Sequence, residues 1–342
     1  MKKILFAATA LAAALFASCD KETETMNPLQ PGTADGAQVT ITLSGADAET
    51  RAFFDTTAKA ESWESSLSSL SVFAFDNGGG LIIRRDFTSS ELASKSATFS
   101  LPKSAAGTEC SFYAVANYDA SSAKTRTALT AFVEKSAADY NGTFAEVSTA
   151  AKRSGGFVMS GMKSQTVGAV NSTTNVGITL KRTVAKVALQ TIIDPSFADK
   201  YAGTLTINSV KLSKAASQSL VVVGTPTPGA MTFSHTQTPA PASGKCNALF
   251  YCFENGALPA GSRVLLEINA TYDSDGNTST TDDRSEVTYS VELTGKAAGE
   301  ILRNGYYRVA ANITGLVGQD CAVSVTVADW ETPVTQNVEL GA

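Results

Sequence analysis

Apolar side chains at every second residue recur along this chain and limit what it can become. Val39-Thr-Ile-Thr-Leu43 alternates strictly, and the same period returns at 70–75, 110–116 and 176–180. It continues at 184–192, 205–212, 220–223, 263–272, 286–293, 306–313, 322–327 and 334–340. A period of two turns one face of an extended strand to a core and the other to solvent, whereas an amphipathic helix needs a period of about 3.6. Clusters of Gly, Asn, Asp and Ser separate the runs, which is the pattern of an all-β sandwich architecture. Helical signals are few. The spacing predicts one helix within 122–138, with Asp119 or Ser121 near its start, and a single turn at 89–94.

Each half of the chain begins with a long alternating run and later carries an aromatic one. These are Phe112-Tyr-Ala-Val-Ala-Asn117 in the first half and Tyr306-Tyr-Arg-Val-Ala-Ala-Asn312 in the second. The repeat predicts two tandem β-sandwich domains, 38–182 and 183–342, meeting near Lys181-Arg182 with almost no linker. So short a join predicts a rigid, elongated pair.

The first residues are of another kind. A basic start, Met1-Lys2-Lys3, leads into an apolar run over 4–16 that closes on Ala17-Ser18-Cys19. This is the pattern of a secretory signal peptide, 1–18, ending at a cysteine to be lipidated, and the run is too short to stay as a membrane-spanning helix. A diacylglyceryl thioether on Cys19 together with an acylated amino terminus supplies enough chains for stable anchoring. The alternative is an ordinary cleaved signal with an incidental cysteine. The stretch 19–37 is acidic and polar and is broken by Pro28, Pro31 and Gly32, so it reads as a disordered tether.

Several function classes are weakened. Net charge is −5 and the basic residues are scattered, which leaves no footprint for nucleic acid. The single histidine, His235, lies among Thr, Ser and Pro with no nucleophile or carboxylate at useful spacing and reads as a loop residue. No enzyme, cofactor or metal is expected. The turn Asp273-Ser-Asp-Gly-Asn277 superficially suggests calcium, but its glycine is displaced from the sixth position of the helix-loop-helix site and Arg284 stands where the bidentate acid belongs. It reads as a hairpin turn, as does Gly78-Gly-Gly80, which lacks the lysine of a phosphate loop. Cys246 and Cys252 could close a small loop or serve as small core residues. Phe53, Phe54 and Trp63 could form a carbohydrate-stacking platform or pack in the first core.

A set of motifs in order carries a family resemblance. Trp63 precedes Leu70-Ser-Val-Phe-Ala-Phe75; then come Gly156-Phe-Val-Met-Ser-Gly161 and Ile178-Thr-Leu-Lys-Arg-Thr-Val-Ala-Lys-Val187. Tyr306-Tyr307 and Val325-Thr-Val-Ala-Asp-Trp330 close the series. The chain resembles the fimbrillins of Bacteroides-type bacteria, the FimA- and Mfa-like subunits of pili assembled at the outer membrane.

The resemblance implies two transthyretin-like β-sandwiches, export as an outer-membrane lipoprotein, and surface maturation by a trypsin-like protease that removes the lipid and the first strand. The matching bond is Arg51-Ala52, and the strand to be removed carries Val39, Ile41 and Leu43. A sandwich lacking a strand demands a replacement, and a strand from a neighbouring subunit supplies one by β-augmentation. The tail 333–342 alternates Val334, Gln336, Val338 and Leu340 on one face, so Val334, Val338 and Leu340 are candidate donor residues. The same run could be the last strand of its own domain. The implied function is a polymerising pilin of an adhesive fimbria, its partners other copies of itself or related pilins. The alternative is a non-polymerising surface lipoprotein: a tip or anchor subunit, or a glycan-binding module.

Overall fold

The computed structural model describes residues 36–45, 54, 60–222, 230–295 and 298–317, and the backbone of 322–329. Cys19, Arg51, Ala52, Phe53 and the tail residues Val334, Val338 and Leu340 lie outside them.

The first half contributes β1 (Ala37–Ser44), β2 (Leu70–Phe75), β3 (Leu81–Asp86), β4 (Ser96–Leu101) and β5 (Glu109–Ala116). It continues with β6 (Val133–Glu134), β7 (Met159–Thr166), β8 (Thr173–Thr179) and β9 (Lys181–Arg182). One sheet has the order β4-β1-β8 and the other β3-β2-β5-β7-β9. Between them lie Val39, Ile41, Phe99, Val176 and Ile178 from the first sheet and Val72, Ala74, Phe112 and Ala114 from the second.

The second half contributes β10 (Val184–Ile193), β11 (Thr204–Ala215), β12 (Ser219–Leu220), β13 (Phe233–Gln237) and β14 (Ala240–Ala242). It ends with β15 (Lys245–Phe253), β16 (Leu265–Asp273), β17 (Arg284–Glu292), β18 (Gly305–Ile313) and β19 (Ala322–Asp329). The sheet β14-β15-β10-β18-β19 packs on β13-β11-β16-β17 through Val187, Leu189, Phe250, Tyr307 and Val309 against Val210, Leu212, Leu266, Ile268 and Tyr289. The fold is all-β with short helices: α1 (Ser89–Ser94), α2 (Arg126–Thr130), α3 (Phe144–Val147) and α4 (Ser196–Lys200).

Sequence patterning explains most of this. β4 alternates Ala97, Phe99 and Leu101 inward. In β2 and β5 both faces are buried, so the alternation merges into apolar runs. The outward face of that sheet carries Phe73, Phe75, Tyr113 and Val115, and it is roofed by Ala120, Ala123, Leu129, Val221 and Val222. The roof explains two corrections. The helix expected within 122–138 shrinks to α2, because Ala123, Leu129 and Phe132 must lie on a flat sheet and Thr130 Oγ1 donates back to the Arg126 carbonyl at 3.0 Å. The strand expected at 220–223 is cut to β12, since Val221 and Val222 turn into the roof. By contrast α1 forms where a turn is expected, with a capping box in which Thr88 N donates to Glu91 Oε2 at 2.7 Å.

The halves meet at Thr183, the one residue between β9 and β10. They share a core there, Tyr140 and Phe157 packing on Tyr251 and Phe253. Arg182 is fully buried; its Nε donates to the Glu64 carbonyl at 2.7 Å and its Nη1 to Asn304 Oδ1 at 2.8 Å. Beside it Lys186 pairs with Glu64 at 2.8 Å, and Tyr251 donates its hydroxyl to the same carboxylate at 2.5 Å. Burial pushes the Glu64 carboxyl up, but Lys186, Tyr251 and Arg182 outweigh it and hold the group below its ordinary value.

Candidate functional site

β1 is an interior strand although it comes first among the described strands. It runs antiparallel to β4, with Val39 opposite Phe99 and Ile41 opposite Ala97. It runs parallel to β8, with Ile41 opposite Val176 and Leu43 opposite Ile178. Ala37, Val39 and Ile41 are 0 % exposed and Leu43 5 %. The outward residues zip weakly to the neighbours: Thr40 and Thr98 share a hydroxyl contact of 2.8 Å, and Ser44 and Thr179 one of 3.0 Å. The ladder extends past both ends, Gln38 N donating to Ser172 O at 3.0 Å and Leu180 N to Ser44 O at 2.9 Å. At Gly36 the backbone approaches so closely that an added Cβ would lie 2.4 Å from the Leu101 carbonyl.

An empty β1 slot would be a groove about 10 Å wide, two interstrand spacings, with an unpaired ladder on each wall. Its floor would be Val72, Ala74, Phe112 and Ala114 of the facing sheet. Burial of Val39, Ile41 and Leu43 contributes up to about 5–9 kcal/mol at 1.5–3 kcal/mol per side chain. That is comparable with the whole stability of a small domain.

β1 is joined to the sandwich through residues 45–59, the stretch that holds Arg51-Ala52. Within it Phe54 is described: the Arg308 guanidinium lies 5.7 Å from its ring centre and Arg308 Nη1 donates to its carbonyl at 3.4 Å. Phe54 and Trp63 pack against the first core, which answers two of the three aromatics considered for a stacking platform.

Other candidate residues are accounted for by packing. His235 sits on β13 rather than in a loop and contacts the Gly142 carbonyl at 3.0 Å. Cys246 and Cys252 are free thiols on the same strand, β15, where six residues of extended chain span about 20 Å, so no small loop is closed. The expected hairpins form: Asp76 Oδ1 accepts from Gly80 N at 2.8 Å between β2 and β3, and the acidic turn joins β16 to β17. Among the described strands β19 lies at the edge beyond β18, with Tyr307 opposite Val327. The sequence reading found one wall of the slot, β8, but missed the other, β4, although Ala97-Thr-Phe-Ser-Leu101 displays the period openly, and it missed the polar cluster around Glu64, whose residues are far apart in the chain.

The fold thus defines a class: an all-β protein of two sandwiches, the first built around its own N-terminal strand. Residues 37–185 match the family model described as major fimbrial subunit protein (FimA). That segment is similar to fimbrillins of the FimA type, and it begins at β1 and ends at the second residue of β10. Solved structures share the whole fold at low identity. A candidate cell adhesion protein from Bacteroides eggerthii is 19 % identical with a TM-score of 0.57, covering 89 % of this chain and 98 % of its own. A second, from Parabacteroides distasonis, is 15 % identical with a TM-score of 0.59 over 89 % of this chain and 100 % of its own. The tip fimbrial protein Mfa3 of Porphyromonas gingivalis, with a C-terminal truncation, is 15 % identical with a TM-score of 0.55 over 86 % and 99 %. A search of curated proteins finds no match.

Proposed function

We propose that this chain is a structural subunit of a surface fimbria that polymerises by strand exchange. In this reading it is exported as a lipoprotein anchored through Cys19, folds with β1 in place and is cut by a trypsin-like protease at Arg51-Ala52. Loss of β1 opens the slot between β4 and β8, and the tail 333–342 of another subunit fills it with Val334, Val338 and Leu340. The domain boundary in this reading stays at 182/183. The observation that carries the proposal is the position of β1, an interior strand with a buried apolar face that one connection joins to its sandwich. The family match over 37–185 supports it.

The test is limiting proteolysis of the purified chain, following cut site and assembly state together. Cleavage after Arg51 followed by ladders of oligomers, absent in Arg51→Ala and in a chain ending at Trp330, is the expected result. A cut chain that stays monomeric with its tail intact overturns polymerisation and favours a tip or anchor subunit, the first of which is the role the Porphyromonas relative is described as having.

A further inference from the structure

We propose that the β16–β17 hairpin loop is a binding site for one divalent cation of the calcium type, held by the carboxylates of Asp273, Asp275 and Asp283. Although the chain lacks the helix-loop-helix arrangement, the hairpin brings the acids together from opposite ends of the loop. Asp273 closes β16, Asp275 follows in the turn, and Asp283 directly precedes β17. A carboxylate oxygen from each lies within 4.8 Å of the other two.

Crowded acids alone need no ion, but two of these oxygens are out of water. Asp273 is 4 % exposed, and its Oδ1 is buried without a hydrogen-bond partner. Asp283 Oδ1 is buried and without a partner as well. Leaving a buried carboxylate oxygen bare costs more than leaving a neutral acceptor so, and a bound cation removes that cost. The adjacent arginine does not remove it. Arg284 Nε donates to the other oxygen of Asp273, Oδ2, at 3.1 Å, and its Nη2 to the Thr278 carbonyl at 2.6 Å. Across 273–284 four aspartates face one arginine, so the loop stays strongly negative.

The loop is already shaped around these groups. Ser274 Oγ and Asp275 N both donate to Asp283 Oδ2 at 2.8 Å, and Asn277 N donates to Asp275 Oδ1 at 2.7 Å. Asp283 therefore keeps its Oδ1 for a ligand, as Asp273 does. Gly203 packs so close that an added Cβ would lie 2.0 Å from the Asp273 carbonyl oxygen, which pins the start of the loop. Bonds of about 2.3–2.6 Å let one Ca²⁺ bridge oxygens up to about 5 Å apart, whereas Mg²⁺ at about 2.0–2.1 Å requires a tighter set. An all-oxygen donor set without His or Cys does not favour zinc. Three carboxylates leave several positions to water, as in the weaker extracellular calcium modules, whose dissociation constants are about 10⁻⁴–10⁻³ M.

Equilibrium dialysis of the purified chain against radioactive Ca²⁺ tests the site. The expected result is one ion per chain with a dissociation constant on the order of 10⁻⁴–10⁻³ M and weaker binding of Mg²⁺. Asp275→Asn and Asp283→Asn, both outside the core, should each weaken binding about tenfold or more, while Asp282→Asn, which removes the same charge beside the site, should change it less than about threefold. In the unsubstituted chain Ca²⁺ should also slow subtilisin cleavage within 273–284. Absence of saturable binding up to about 10 mM overturns the proposal, as does equal loss in Asp282→Asn and Asp283→Asn, which would reduce the effect to diffuse charge.

Discussion

The slot around β1 makes a quantitative demand on any strand that fills it. Ile41 is its central anchor, fully buried and flanked in register by Ala97 and Val176. Replacing a buried isoleucine by alanine removes about 2–5 kcal/mol, and each 1.4 kcal/mol is a factor of ten in affinity. Thr42, one residue on, faces solvent, where a substitution is worth about 0.5 kcal/mol or less. The measurement takes chain cut within 45–59, strips the strand in mild urea and adds a fluorescent peptide of residues 36–45, read by anisotropy. The Ile41→Ala peptide should bind about thirtyfold to several thousandfold more weakly than the natural one, and Thr42→Ala within about twofold. An Ile41→Ala peptide within about threefold of the natural one refutes the reasoning, as does equal damage from Thr42→Ala, because an apolar slot with fixed register distinguishes alternate residues.

Two further outcomes follow from the core. Glu64→Gln leaves Lys186 and Arg182 without their buried counter-charge and should cost about 3–5 kcal/mol at pH 7. Glu64 is held below its ordinary value of 4.5 in the folded chain, so its contribution is complete above pH 4.5 and fades as pH falls through the depressed value. The gap between urea melts of the two chains should therefore narrow as pH falls below 4.5, and a gap that does not narrow down to the lowest pH at which both chains fold contradicts the assignment. Burial pushes the Cys252 thiol up to about 12, so at pH 8 it should react with a disulfide reagent only as fast as the protein opens. Rapid labelling of Cys252 in folded protein would contradict its placement.

Strands with one wet face were legible in the sequence. β1 and β8 were recovered to within a few residues because their alternation survives in the chain, and β2, β5, β10 and β18 were found as well although most of their residues are buried on both faces. β15 escaped because Ala248-Leu-Phe-Tyr-Cys-Phe253 is buried on both faces and displays no period. The roof segment misled for a related reason. Ala- and Leu-bearing stretches such as 122–138 read as helix until a sheet with a second apolar face requires a cover, and nothing local announces that face. The slot was half legible: Val39, Ile41 and Leu43 lie within one run, while the parallel partner β8 is 135 residues away, as Leu43 and Ile178 pair. The cluster of Glu64, Arg182, Lys186 and Tyr251 has no sequence spacing to find, because tertiary packing alone brings it together.

The link through 45–59 also bears on timing. While it is intact, β1 competes for its slot as an intramolecular strand, at an effective concentration on the order of millimolar. A rival strand from a dilute neighbour is outnumbered even when it fits equally well. Breaking the link alters none of the contacts that Val39, Ile41 and Leu43 make. It changes a concentration: the departing strand is diluted into bulk solution, and the outcome passes from proximity to whichever strand is most abundant nearby.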